Sequence, residues 1–132
     1  MTDRDSKTAK SILVVDDNPD IRDFMTAALE GAGYEVRSVS EGAQAMALQR
    51  GTPADLVITD IFMPGQEGFE TITGFKAEFP QTKIIAMSAG TIPGMQHDFL
   101  ASAGLLGIGA TLRKPFTADQ LLAAVREVLQ PQ

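Results

Sequence analysis

ILVVDDNP, residues 12–19, joins an apolar run to two acidic residues and a helix-start signal. The run over residues 12–15 predicts a buried strand. Asn18 followed by Pro19 predicts a helix start, because Asn caps free backbone N–H groups and Pro suits the first helical position. The stretch therefore predicts a strand that leads directly into a helix, with Asp16 and Asp17 at the junction.

The same strand-then-helix pattern recurs along the chain. Predicted strands at residues 12–15, 34–39, 56–59, 83–87 and 111–112 alternate with helical patterns from residue 19 to the glycines at 31 and 33, at 41–49, at 68–79 and from Thr117 to residue 129. Such strict alternation predicts a doubly wound α/β fold, with parallel strands, helices on both faces of the sheet and right-handed crossovers.

Polar residues stand at the ends of the apolar strands. Asp60 follows residues 56–59, Ser88 follows residues 84–87, and Lys114 follows residues 111–112. In open α/β sheets the carboxyl ends of the strands border the ligand-binding crevice. We therefore expect three carboxylates, one hydroxyl and one ammonium group to share a single crevice.

Three adjacent carboxylates predict a bound cation, because their mutual repulsion disfavours ionisation of all three. Oxygen ligands without nearby His or Cys favour Mg²⁺, which completes its coordination with waters and phosphate oxygens. This chemistry indicates phosphoryl transfer, in which a carboxylate can be the nucleophile. We assign the attack to Asp60, which stands alone, and the metal to the Asp16–Asp17 pair. Lys114 and Ser88 would contact the phosphoryl oxygens.

Four motifs resemble the receiver domain of two-component response regulators. They are VVDDNP at 14–19, ITDIFMP at 58–64 followed by Gly68, MSAG at 87–90 and LRKPF at 112–116. The resemblance extends over residues 12–129. It implies a flavodoxin-like fold with five parallel strands in the order 2-1-3-4-5, and a phosphorylation-controlled signalling switch that catalyses only its own phosphorylation and dephosphorylation.

The resemblance also implies residue roles. Asp60 would be the phospho-acceptor and would bind Mg²⁺ directly together with Asp17, whereas Asp16 would act largely through water. The backbone carbonyl of Phe62 would complete the protein ligands. Ser88 matches the family's Ser/Thr switch position, and Lys114 matches its lysine, which usually precedes a cis proline.

Partners are implied by the same resemblance. A sensor histidine kinase or a histidine phosphotransfer protein would dock near the first helix and the loop after the fifth strand, a surface that includes Asn18, Pro19, Ile21, Arg22, Pro115 and Phe116. The output surface would comprise the helix before the fifth strand, that strand and the last helix. It would act on a downstream protein, and the sequence leaves phosphorylation-dependent homodimer formation open.

Two stretches depart from the family pattern. Residues 90–94, GTIPG, lengthen the segment between Ser88 and Lys114, and we expect a mobile loop there. Thr111 occupies the position at which many receivers carry a Tyr or Phe that moves with the switch residue. A small hydroxyl cannot signal by burial of a ring, so the signal would leave by another route.

Alternative interpretations remain open at this stage. The Asp16–Asp17 pair alone could be a helix-capping feature, since Asp is favoured near helix N-termini. A pseudo-receiver that binds partners constitutively would normally have lost part of the acidic set, whereas this chain has kept Asp16, Asp17 and Asp60. A metal-dependent aspartyl phosphatase would need an Asp-x-Asp arrangement after the first strand, whereas Asn18 stands at its third position.

Bulk properties narrow the function classes. The chain has 132 residues, a formal net charge of −6 and no cysteine. The negative charge disfavours direct binding to nucleic acid or to anionic membranes. The absence of cysteine fits a cytoplasmic location. We expect a polar, disordered arm over residues 1–10 and a stand-alone receiver domain over residues 11–132.

Overall fold

Five parallel strands and four helices make up the described part of the chain. The computed structural model describes residues 9–60, 67–89 and 109–129. The strands are β1 (Ser11–Val15), β2 (Glu35–Val39), β3 (Leu56–Asp60), β4 (Lys83–Ala89) and β5 (Ala110–Lys114), and the helices are α1 (Pro19–Gly31), α2 (Gly42–Gly51), α3 (Glu67–Glu78) and α4 (Ala118–Leu129). The sheet order β2-β1-β3-β4-β5 confirms the predicted fold class.

The predicted element bounds were close but not identical to those observed. Tyr34 lies outside β2, and its backbone N–H donates to Leu29 at the end of α1. Glu41 is the N-cap of α2 and not its first residue. Ser88 lies within β4, which is two residues longer than expected, and β5 extends from Ala110 through Lys114.

Apolar side chains cover both faces of the sheet. On one face, residues of α2 and α3 such as Ala45, Ile72 and Phe75 pack against β1, β3 and β4. On the other face, residues of α1 and α4, among them Met25 and Leu121, form the second cluster. A sheet buried on both faces explains why its central strands are continuous apolar runs.

The helix starts predicted from local sequence signals are confirmed for α1 and α4. The Asn18 side chain accepts hydrogen bonds from the backbone N–H groups of Asp20 and Ile21, which starts α1. Thr117 and Gln120 form a reciprocal capping box before α4. The Lys114–Pro115 peptide bond is cis.

Several predictions fall outside the described residues. They concern the N-terminal arm over residues 1–8, the carbonyl of Phe62 and the loop at residues 90–94. Lys10 is described, and its carbonyl accepts a hydrogen bond from the backbone N–H of Glu35.

Among the described helices, none is both long and apolar enough to span a membrane.

Candidate functional site

Strand register brings Asp16, Asp60 and Lys114 to one face of the sheet at its carboxyl edge. Val14 pairs with Ile58, and both belong to the cluster under α1 and α4. Side chains alternate between faces along a strand, so Asp16 and Asp60, two residues further on, lie on that same face. Leu112 is in this cluster as well, and Lys114 follows it by two residues. Three side chains distant in sequence therefore converge above one core.

Lys114 links the two buried carboxylates. Its Nζ atom donates to Asp16 Oδ2 at 2.5 Å and to Asp60 Oδ2 at 2.6 Å. Burial alone would lower the pKa of Lys114, but the hydrogen bonds to Asp16 and Asp60 and their negative charges outweigh it and raise the pKa above its ordinary value. Lys114 is therefore a cation at neutral pH.

Asp16 is fixed at each of its polar groups. Its side chain is fully buried, and Oδ1 accepts a hydrogen bond from the backbone N–H of Asn18 at 2.8 Å. Its own N–H donates to the carbonyl of Val39. Its carbonyl accepts a hydrogen bond from Arg22 Nη1 at 2.7 Å. The sequence had predicted Arg22 only as part of a docking surface, and no motif indicated this contact.

Asp17 differs from its neighbour because its side chain is exposed. Within the described residues, Lys114 forms ion pairs with Asp16 and Asp60 but not with Asp17. The Asp17 carboxylate lies beside the other two, with one oxygen from each of the three within 4.8 Å of the others. Three carboxylates this close form a hard oxygen donor set that suits Mg²⁺. Asp16, Asp17 and Asp60 therefore form the acidic cluster that the sequence predicted at this edge of the sheet.

Ser88 lies at the same edge but is not joined to the acidic cluster. It is buried in β4, one residue beyond Met87, which pairs with Asp60. Because side chains alternate between the two faces of a sheet, the Ser88 side chain lies on the opposite face from that of Met87. Within the described ranges, no hydrogen bond connects the Ser88 hydroxyl to Asp16, Asp60 or Lys114.

Comparison of the sequence with known protein families gives a match that is consistent with the fold and with the cluster of Asp16, Asp17 and Asp60. The profile of the family described as response regulator receiver domain matches residues 12–126. The chain therefore belongs to the response regulator receiver domain family, whose members act as signalling switches.

Curated relatives extend the comparison to individual proteins. The chain is 36% identical over 123 residues to the DNA-binding transcriptional regulator NtrC of Bradyrhizobium sp., covering 92% of this chain and 24% of that protein. It is 31% identical to the transcriptional regulatory protein GltR of Pseudomonas aeruginosa, covering 95% of this chain and 51% of that protein. The chain thus spans between a quarter and a half of the length of these relatives.

Solved structures resemble the chain over nearly all of its length. The chemotaxis response regulator CheY4 of Vibrio cholerae has a TM-score of 0.79 and 31% identity, with 92% of this chain and 100% of that chain covered. A response regulator from Thermotoga maritima has a TM-score of 0.83 and 28% identity, with 93% and 99% covered. Both support the flavodoxin-like arrangement of the sheet.

Proposed function

We propose that the chain is a phosphorylation-controlled switch in which Asp60 accepts a phosphoryl group in a Mg²⁺-dependent reaction. The observation that carries this proposal is the convergence of Asp16, Asp17, Asp60 and Lys114 at one sheet edge. A carboxylate nucleophile, a cation-binding set and a fixed positive charge are the groups that phosphoryl transfer to Asp requires.

In the proposed reaction, an oxygen of Asp60 forms a bond to phosphorus while the bond from phosphorus to the donor breaks. The electron pair of that bond leaves with the donor, which is the imidazole of a phosphohistidine or the acetate of acetyl phosphate. Lys114 already donates to Asp60, and its raised pKa keeps it charged. It would therefore neutralise negative charge that accumulates on the phosphoryl oxygens.

The metal ligands in this proposal are Asp17, Asp60 and the carbonyl of Phe62, with Asp16 acting through water. Mg²⁺ would supply charge neutralisation and orientation of the phosphoryl oxygens. Asp17 suits direct ligation because its carboxylate is exposed, whereas both oxygens of Asp16 already accept hydrogen bonds. Ser88 would donate its hydroxyl to the phosphoryl group, which requires that it turn toward Asp60.

The proposed phosphoryl donor is a sensor histidine kinase or a histidine phosphotransfer protein in the cytoplasm. Its docking surface would include Asn18, Pro19, Ile21, Arg22, Pro115 and Phe116. Phe24 adds an apolar contact to that surface, since 39% of it is exposed and its ring centroid lies 6.1 Å from that of Phe116. Output would pass through β5 and α4 and the segment before β5 to a downstream protein.

The domain assignment is part of the proposal as well. Residues 11–132 would form the receiver domain, and residues 1–10 would be an arm outside it. The family profile supports residues 12–126 of this assignment. Thr111, on β5, is exposed, so we propose that the output does not depend on burial of a side chain at this position.

The test uses acetyl phosphate as the donor, with Mg²⁺ or with EDTA, followed by intact-mass measurement. We expect one phosphoryl group per chain only in the presence of Mg²⁺. Asp60→Asn should abolish the adduct because the amide is not a nucleophile. Asp119→Asn is the matched control, since Asp119 is an exposed residue in the first turn of α4, and it should be phosphorylated like the wild type.

Other outcomes would favour other functions. Complete absence of the adduct with acetyl phosphate, with no amide shifts on addition of beryllofluoride, would contradict the proposal and leave a constitutive interaction module. Sustained turnover of a phosphomonoester would indicate an aspartyl phosphatase. An adduct that persists in Asp60→Asn would show that another residue is the acceptor.

A further inference from the structure

Arg22 takes part in a closed set of hydrogen bonds around the peptide that joins Asp16 to Asp17. Its guanidinium donates to the Asp16 carbonyl, and its backbone N–H donates to the Asn18 carbonyl at 3.1 Å. The Asn18 backbone N–H in turn donates to Asp16 Oδ1. The end of β1 and the first turn of α1 are therefore tied together by a side chain as well as by the backbone.

Asp17 lies inside this set but has an exposed side chain. The direction of its carboxylate depends on the orientation of the 16–17 peptide, because rotation of that peptide moves the Asp17 Cα–Cβ bond. Arg22 donates to the carbonyl of that peptide and so opposes its rotation. Charge-assisted hydrogen bonds of 2.7 Å are among the strong ones.

We propose that Arg22 is a positioning residue that holds the 16–17 peptide so that the Asp17 carboxylate faces Asp60. The inference rests on the proposed Mg²⁺ site and adds a residue that the sequence motifs did not assign to it. Groups that orient metal ligands from outside the coordination sphere change metal affinity by about 10-fold or more when they are removed.

Removal of Arg22 would change Mg²⁺ affinity in opposite directions, depending on whether its charge or its positioning hydrogen bond matters more. Arg22 carries a positive charge close to the acidic cluster, so its removal by electrostatics alone would strengthen the binding of a cation. Loss of a positioning hydrogen bond would weaken it. The sign of the change in Mg²⁺ affinity therefore separates the two accounts.

The experiment compares Mg²⁺ dissociation constants of the wild type, Arg22→Met and Arg37→Met by titration calorimetry. Arg37 is a matched control, because its guanidinium also donates to a backbone carbonyl, that of Thr52, at 2.6 Å. Arg37→Met removes the same charge and the same kind of bond without a contact to the acidic cluster. We expect about 10-fold weaker Mg²⁺ binding in Arg22→Met and little change in Arg37→Met.

A second readout is the initial rate of phosphorylation by acetyl phosphate as a function of Mg²⁺ concentration. A positioning role predicts that Arg22→Met needs more Mg²⁺ but approaches the wild-type rate at saturation. Circular dichroism verifies that each variant is folded at the temperature used. Should Arg22→Met not fold, Arg22→Gln takes its place, since its amide is too short to reach the Asp16 carbonyl.

Equal or tighter Mg²⁺ binding in the folded Arg22 variant would overturn the inference, as would an equal loss in Arg37→Met. The proposed function would survive either result, provided that the wild type binds Mg²⁺ and is phosphorylated on Asp60. Failure of the wild type in both assays would instead overturn the proposed function and, with it, the inference that rests on it.

Discussion

Two regions of this molecule contain ion pairs with similar N–O distances, but one pair is exposed to solvent and the other is buried. Lys114 lies 2.5 Å from Asp16 and 2.6 Å from Asp60, and its side chain is 16% exposed while those of the acids are 0% and 4% exposed. Arg50 lies 2.6 Å from Glu78 in a bond that joins α2 to α3, but these side chains are 59% and 39% exposed. Distance alone does not distinguish the two.

Burial determines what each pair does for the protein. Water and salt screen the Arg50–Glu78 pair, so it adds little to stability. At the carboxyl edge of the sheet, by contrast, the carboxylates of Asp16 and Asp60 are buried, and both accept hydrogen bonds from the Lys114 ammonium group. The buried cluster is therefore the region where removal of the ammonium group costs the most, because two buried carboxylates lose the positive charge that both contact.

Lys114→Met should produce the largest effect. Without the ammonium group, Asp16 and Asp60 remain buried next to each other, so we expect the free energy of unfolding to fall by about 3 kcal/mol. Urea unfolding followed by circular dichroism in EDTA measures it. Lys83→Met is the matched control, because Lys83 is an exposed lysine on β4; an equal loss in both variants would contradict the prediction.

Alkaline pH should produce a smaller effect through the same residue. The pKa of Lys114 is raised in the folded protein above its ordinary value of 10.5. Its stabilising contribution is then complete below that ordinary value and is lost as pH rises through the folded pKa. We expect the wild type to lose more stability than Lys114→Met across this range. Parallel curves from urea unfolding at each pH would show that Lys114 does not contribute.

Arg50→Met should produce the smallest effect. The pair is bidentate, with a second bond of 3.0 Å from Arg50 to Glu78, yet both side chains are exposed to solvent. We expect a melting temperature close to that of the wild type and no coupling with Glu78→Gln in a double-mutant cycle. A change as large as that of Lys114→Met would show that exposure does not separate the two regions.

Much of the fold could be predicted from local patterns. Asn18 with Pro19, and Thr117 with Gln120, marked two helix starts correctly, because capping depends on residues within one turn. The predicted ends of an element were less accurate where a hydrogen bond to another element determines where it ends. Tyr34 fits an alternating strand pattern, but its backbone bonds to Leu29 at the end of α1.

The sequence predicted that Asp16, Asp17, Asp60 and Lys114 lie close together, which the structure confirms, but it did not predict how they are arranged. Reasoning from the strand ends assigned Asp16 and Asp17 to the metal as a pair, and only the family resemblance gave them different roles. The structure buries Asp16 against Lys114 and exposes Asp17. The role predicted for Ser88, donation to the bound phosphoryl group, stays a prediction. Ser88 is buried in β4, the strand next to β3, and among the described residues no hydrogen bond joins it to Asp16 or Asp60. The contact of Arg22 with the Asp16 carbonyl had no sequence signal, because an arginine in a first helical turn is common.

The sequence by itself determined the order of strands and helices and the residue types that end each strand. These features depend on hydrophobic periodicity and on capping, which act over a few residues. Only the tertiary structure decided which carboxylates meet Lys114, since Asp16 is 98 residues away from it in sequence. That contact depends on the strand order and register of the whole sheet, because β3 and β4 lie between β1 and β5 and set their alignment.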